Sequence, residues 1–136
     1  MNLLVDSSVW IRVASRRAMP RFIEYFQEAR ARHTICVTGI VRLEMMMGAS
    51  SWTELLNLQL LFSNLPAVEP TGGTWDEAGR LCMRMKAKGF NLKGPDLLIA
   101  SVAIENNLTL VHADRDFDPL AEHEGLKTES LLHLLE

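Results

Sequence analysis

Residues 94–117, GPDLLIASVAIENNLTLVHADRDF, constrain the fold more than any other stretch, because they place a buried helix, a tight stop and a buried strand in immediate succession. Pro95 suits the first turn of a helix, where its missing N–H leaves no bond unmade, and Asp96 beside it faces the positive end of the helix dipole. Leu97, Leu98, Ile99, Ala100, Val102, Ala103 and Ile104 leave almost no polar side, so this helix is central and covered all round. Asn106-Asn107 can close it with a left-handed residue, and Leu108 to Val111 reads as a short buried strand. His112 to Phe117 then leaves that strand's carboxyl end. Loops at the carboxyl ends of parallel strands are where α/β proteins hold ligands, which puts Asp114 and Asp116 where chemistry happens. A solvated acidic turn is the competing reading.

Earlier in the chain another acid stands at a strand end. Asn2 to Val5 is an apolar run read as the first strand, with Asp6 at its carboxyl end and Ser7 or Ser8 capping a following helical turn; Asp6 as a cap itself is the alternative. Pro20 opens a second helix with Phe22, Ile23, Phe26 and Ala29 on one face and Glu28 and Arg32 spaced to pair. Thr34 to Val37 is a second β-branched run, and Thr38 caps a helix ended by Gly48. Glu44 lies inside that helix, facing either water or Asp6. Met45 to Met47 read as core filling, with an adaptable partner surface as the second option. Ser51 and Glu54 form a capping box before a Leu-rich helix, Ala67 to Glu69 is a brief third strand, and Thr74 with Glu77 repeats the capping box ahead of a helix ended by Gly89. Pro119 breaks the chain, Leu126 to Thr128 forms the last strand and Ser130 caps the tail.

Strands alternating with helical patterns predict an α/β fold: one three-layer α/β/α domain over residues 1–136, with a parallel sheet and right-handed crossovers. A 48% hydrophobic content is ample for one core at this length. No long apolar run and no leader pattern point to a membrane or to secretion, so a cytoplasmic protein is expected. Cys36 and Cys82 have no metal-ligand spacing and read as reduced core residues. The net charge is only −3, but it is unevenly spread. Arginines crowd the first 42 residues, a second basic run spans Arg80, Arg84, Lys86, Lys88 and Lys93, and the end is acidic.

Four carboxylates can meet in one crevice: Asp6 and Asp114 at neighbouring strand ends, Asp96 at a helix start, and Glu44 on a helix after another strand. Two such charges about 5 Å apart repel by roughly 3 kcal/mol at an effective dielectric of about 20, so the cluster calls for a cation. Oxygen-only donors without His or Cys spacing favour Mg²⁺ or Mn²⁺, and an acid cluster with open metal positions suits phosphodiester hydrolysis. An EF-hand is excluded, because Pro119 stands where that loop needs Gly and Gly125 where it needs Glu. A Walker loop is excluded by the absence of G-K-[ST].

With these residues the chain resembles the PIN-domain ribonucleases of the VapC toxin type, nearly end to end. The motifs are Val5-Asp6-Ser7-Ser8-Val9-Trp10-Ile11, Glu44 in a helix after the second strand, Asp96-Leu97-Leu98-Ile99-Ala100, and His112-Ala113-Asp114-Arg115-Asp116-Phe117. The resemblance implies a five-stranded parallel sheet in the order 3-2-1-4-5. It implies Asp6, Glu44, Asp96 and Asp114 as the catalytic, metal-binding acids, Asp116 as an auxiliary metal ligand, and Ser7 or Ser8 as an orienting hydroxyl. It further implies a Mg²⁺- or Mn²⁺-dependent endoribonuclease acting on tRNA or ribosomal RNA loops, a VapB-like antitoxin and a homodimer. One departure is His112, where the family usually carries Thr or Ser. A housekeeping RNA-processing nuclease and a non-catalytic binding module are the alternative readings. On the ribonuclease reading the basic clusters would meet backbone phosphates.

Overall fold

The computed structural model describes residues 1–136. Its strands are β1 (Asn2–Val5), β2 (Thr34–Cys36), β3 (Thr109–His112) and β4 (Thr128–Ser130). Its helices are α1 (Ser7–Trp10), α2 (Pro20–Arg32), α3 (Gly39–Met47), α4 (Trp52–Ser63), α5 (Gly72–Ala87), α6 (Gly94–Glu105) and α7 (Asp118–Glu124). The strands form one parallel sheet in the order β2-β1-β3-β4, with Leu4 opposite both Cys36 and Leu110. Because successive side chains point to opposite faces, the burial of Leu3, Leu4 and Val5 on β1 and of all four residues of β3 means that both sheet faces are covered.

The sheet has four strands, not the five expected. Ala67 makes only a single parallel bridge to Val37. Val37 donates to Pro66 and Val68 donates back to Val37, both at 2.9 Å, and pairing stops there. Pro66 and Pro70 have no N–H to extend a ladder, and Glu69 turns its carboxylate to the Gly39 N–H at 3.2 Å. The other strands keep the expected relative order.

A second difference is at α3: Thr38 precedes it, but its buried hydroxyl makes no capping bond, and the first helical N–H, that of Gly39, is instead accepted by Glu69. The capping box of α5 is Thr71 with Thr74, not Thr74 with Glu77, so this helix starts earlier than expected, and Thr74 also donates to Glu105 at 2.6 Å. Ser51 caps α4 as expected, while Glu54 reaches past it to Ser50. Pro119 opens α7 where the sequence predicted a break, which its fixed φ permits in a first helical turn. Glu28 and Arg32 form no ion pair.

The core is one cluster of 30 buried residues, built around Trp10, Phe22, Phe62, Phe117 and the strands. Trp10 packs on Phe26 at 4.9 Å and edge-on to Phe62 at 5.2 Å, joining α1, α2 and α4 beneath the carboxyl end of β1. Helix α6 is buried from Asp96 to Ala103, as its apolar run predicts, whereas Ile104 at the end of that run is exposed, and Asn107 closes the helix with φ 53°. Both cysteines are free. No helix is long and apolar enough to cross a membrane.

Candidate metal centre

β1 and β3 are neighbours, so their carboxyl ends deliver Asp6 and the 113–116 loop side by side, and the Asp6 N–H donates to the Val111 carbonyl at 2.9 Å. Asp6 caps α1: its Oδ2 accepts from the Ser8 N–H at 3.0 Å and from the Ser8 hydroxyl at 2.6 Å. That hydroxyl in turn accepts the Ala113 N–H at 2.9 Å. Ser8 therefore ties the acid after β1 to the loop after β3. Ser7 donates to Glu44 at 3.3 Å. Each serine orients a different acid, where the sequence suggested one or the other.

Asp114 accepts the Asp116 N–H at 2.9 Å and so caps the 3-10 turn Arg115–Phe117. That turn is anchored by the fully buried Phe117. His112 is wholly buried, lies 5.1 Å from the Phe117 ring, and its Nδ1 accepts the Asp114 N–H at 3.2 Å. Burial lowers its pKa, and accepting that bond requires an unprotonated Nδ1, so His112 is a neutral brace beneath Asp114.

Asp96 sits in the first turn of α6, 8% exposed, with its Oδ2 buried and without a hydrogen-bond partner. Asp96, Asp114 and Asp116 each present a carboxylate oxygen within 4.8 Å of the others. Burial first, then the charges of Asp6, Asp114, Asp116 and Glu44, push the Asp96 pKa up to about 7. Asp6 is raised by burial and, more weakly, by Asp114, against the lowering effect of Ser8. Glu44 is raised by burial and by Asp6.

All five acids of interest thus share one electrostatic environment. The tightest group contains Asp116, expected only as an auxiliary, while Asp6 and Glu44 border it. The sequence signal for Asp116 was its spacing from Asp114, since a capped turn two residues long folds both carboxylates to one side. Asp118 begins α7 and is exposed. The donor set fits a hard divalent cation, being all carboxylate, close-spaced and short of one buried hydrogen bond at Asp96.

The two basic clusters fare differently. Arg84 pairs with Glu77 at 2.8 Å and Glu124 at 3.0 Å, Arg80 with Glu77 at 3.0 Å, and Lys88 with Glu124 at 3.4 Å. Much of the second basic run is therefore neutralised within the protein. Near the amino end, Arg12 donates to the Ser8 carbonyl and lies over Phe22 at 5.6 Å, whereas Arg16 and Arg17 are exposed and unpaired.

Against known families, the PIN domain matches residues 3–123, a span that contains every acid of this centre. The chain belongs to the PIN-domain family. Ribonuclease VapC51 of Mycobacterium tuberculosis is 34% identical over 128 residues, covering 92% of this chain and 89% of the relative. Ribonuclease VapC2 of the same organism is 31% identical over 136 residues, covering 96% and 92%. Among solved structures, VapBC2 from Rickettsia felis, bound to a DNA fragment from its promoter, superimposes with a TM-score of 0.79 at 20% identity, over 96% of this chain and 98% of that chain. At that identity the likeness concerns the fold.

Proposed function

We propose that this PIN-domain chain is a metal-dependent endoribonuclease, acting over residues 1–136 as the toxin of a toxin–antitoxin pair. Mg²⁺ or Mn²⁺ would be held by Asp6, Glu44, Asp96 and Asp114, with Asp116 beside them. The observation that carries this reading is Asp96, a buried carboxylate with an unpartnered oxygen aimed among other acids. Such a group is unfavourable unless protonated or bound to a cation. When bound, a divalent ion there supplies Lewis acidity toward a phosphodiester and makes water a competent nucleophile near neutral pH.

The chain's own residues do the positioning. Ser8 fixes Asp6, Ser7 orients Glu44, and the Asp116 N–H with the His112 brace sets Asp114. The likeness to VapC ribonucleases supports structured RNA, such as tRNA or ribosomal RNA loops, as substrate. Likeness to VapBC complexes supports a VapB-like antitoxin, and a cytoplasmic homodimer follows from the same family reading. The test is cleavage of tRNA and ribosomal RNA by purified protein with Mn²⁺ or EDTA, beside Asp96→Asn. Cleavage should require the ion and vanish in the folded variant. Parental cleavage by Asp96→Asn, or undiminished cleavage in EDTA, would refute it.

A further inference from the structure

A groove runs away from the acidic centre between the 11–17 segment and helices α3 and α4. Its inner lobe, about 210 Å³, is walled by Glu44, Arg16, Arg17 and Glu54. Its outer lobe, about 520 Å³, shares Ser15, Arg16, Glu54 and Leu58 with the inner one, so the two are continuous. Glu44 belongs to the inner lobe alone, which sets the direction of the groove: Glu44 at one end, the arginines with Glu54 in the middle, and Ala14 and Leu61 on the floor of the other.

We propose that this groove binds the RNA nucleotide flanking the scissile phosphate, with Arg16 and Arg17 on its phosphate and the outer lobe on its base. The proposal rests on the ribonuclease reading above. Clefts that hold small organic groups measure about 300–1,000 Å³, so the outer lobe accommodates a nucleoside and the inner one only a phosphate-sized group. Arg16 and Arg17 make no ion pair and no side-chain hydrogen bond, unlike Arg12, Arg80 and Arg84. Two guanidiniums in a concave wall, with their donors unused and only Arg16 within electrostatic reach of an acid, Glu54, match phosphate in charge and in planar donor geometry. Thr53 and Asn57 likewise make no side-chain hydrogen bond within the protein, and they line the outer lobe where a base edge would lie. Glu54 lines both lobes, but its Oε2 is engaged away from the arginines, accepting the Ser50 N–H at 3.1 Å and the Ser50 hydroxyl at 2.6 Å.

Charge order separates RNA from a protein occupant. A basic peptide entering the inner lobe would meet both arginines, and an acidic one would meet Glu44 and the centre behind it. A polynucleotide satisfies both ends, because one phosphate can lie at the acids with their cation while the next reaches the arginines.

The experiment is steady-state cleavage of a random-sequence RNA in Mn²⁺ over a range of salt, comparing the full chain with an Arg16→Gln, Arg17→Gln double variant and with Asn57→Ala. The double variant should raise KM about tenfold at low salt, and the slope of log(1/KM) against log salt should flatten by about 0.7 for each lost phosphate contact. Asn57→Ala should alter the nucleotide preference beside the cut while leaving that slope at the parental value. Melting in EDTA and the Mn²⁺-induced shift report folding and metal binding separately, and both should match the parent. A double variant with parental KM and slope overturns the groove assignment while leaving the ribonuclease reading standing. Loss of antitoxin capture with unchanged RNA kinetics also overturns it and gives the groove to the protein partner. A parental chain that cuts no RNA removes the ribonuclease reading and the groove with it.

Discussion

Replacing Asp96 by Asn tests the central physical claim without any RNA. In the metal-free protein the Asp96 carboxyl holds its proton to about pH 7, against an ordinary value of 3.8. Below the ordinary value both folded and unfolded states are protonated. Between it and about pH 7 the folded state keeps a proton that the unfolded chain has released, so stability falls as pH rises through that window. A displacement of roughly three pH units sets an upper bound of about 4 kcal/mol, which solvent reaching the crevice reduces. Asp6 and Glu44, both raised by burial, act in the same direction, whereas Glu54 and Glu77 are lowered at the surface and contribute weakly the other way. Asp96→Asn removes the titrating group and can donate to a neighbouring acid. In EDTA the variant should therefore equal or exceed the parent in stability at pH 8, by up to about 4 kcal/mol, and the difference should shrink toward pH 4. Urea unfolding at a series of pH values, with EDTA throughout, reads this directly. A parent whose stability is flat or rising from pH 5 to 8, or a variant destabilised at pH 8, would refute the reasoning.

Adding Mn²⁺ to about 100 times its dissociation constant should stabilise the parent by roughly 2.7 kcal/mol, a melting shift of several degrees, beyond that of matched ionic strength. Asp96→Asn should lose most of that shift in the same scan. Ser8→Ala removes a 2.6 Å bond to the Asp6 carboxylate and the acceptor of the Ala113 N–H, so urea unfolding should show a loss of about 2–4 kcal/mol. Phe117→Ala empties the anchor of the Asp114–Asp116 turn; it should cost about 3–5 kcal/mol and weaken Mn²⁺ binding measured calorimetrically. Glu124→Gln frees Lys88 from its partner at 3.4 Å and leaves Arg84 with Glu77 alone, so stability should fall by less than about 1 kcal/mol while non-specific RNA binding tightens in a low-salt anisotropy titration.

What could be read from the residues follows how local the cause was. Helix α6 was legible because Pro95, the apolar run and Asn106-Asn107 encode start, burial and stop within a few residues. The positions of Asp6 and of the 113–116 loop followed, since a strand end fixes where its next residue lies. The fifth strand failed because pairing is a long-range property: Ala67 to Glu69 has strand-like residues, but flanking prolines and the diversion of Glu69 to Gly39 leave one bridge. Thr74 was legible as part of a capping box but not in which role, because Thr71 offered a second cap three residues earlier. The basic run from Arg80 to Lys93 was legible as charge, while its neutralisation by Glu124 depends on α7 packing near α5, which no local pattern records.

The acids of the centre divide by who satisfies them. Asp6 is held by Ser8, Glu44 by Ser7, and Asp114 by the Asp116 N–H, so each has its orientation set by the protein itself. Asp96 alone combines burial with an unpartnered oxygen. An unmade buried hydrogen bond costs about 1–3 kcal/mol, and a fold that satisfies the neighbouring acids has no need of Asp96 for its own stability. The cost is tolerable because α6 is anchored by the apolar residues buried between Leu97 and Ala103, independent of that one carboxylate. The three satisfied acids keep the centre in shape before a ligand arrives, and Asp96 makes the centre's stability depend on one. The preorganisation and the dependence therefore come from different residues, and substitutions should separate them: losing Ser8 should loosen the geometry, while losing the Asp96 charge should stabilise the metal-free fold and remove most of its response to the cation.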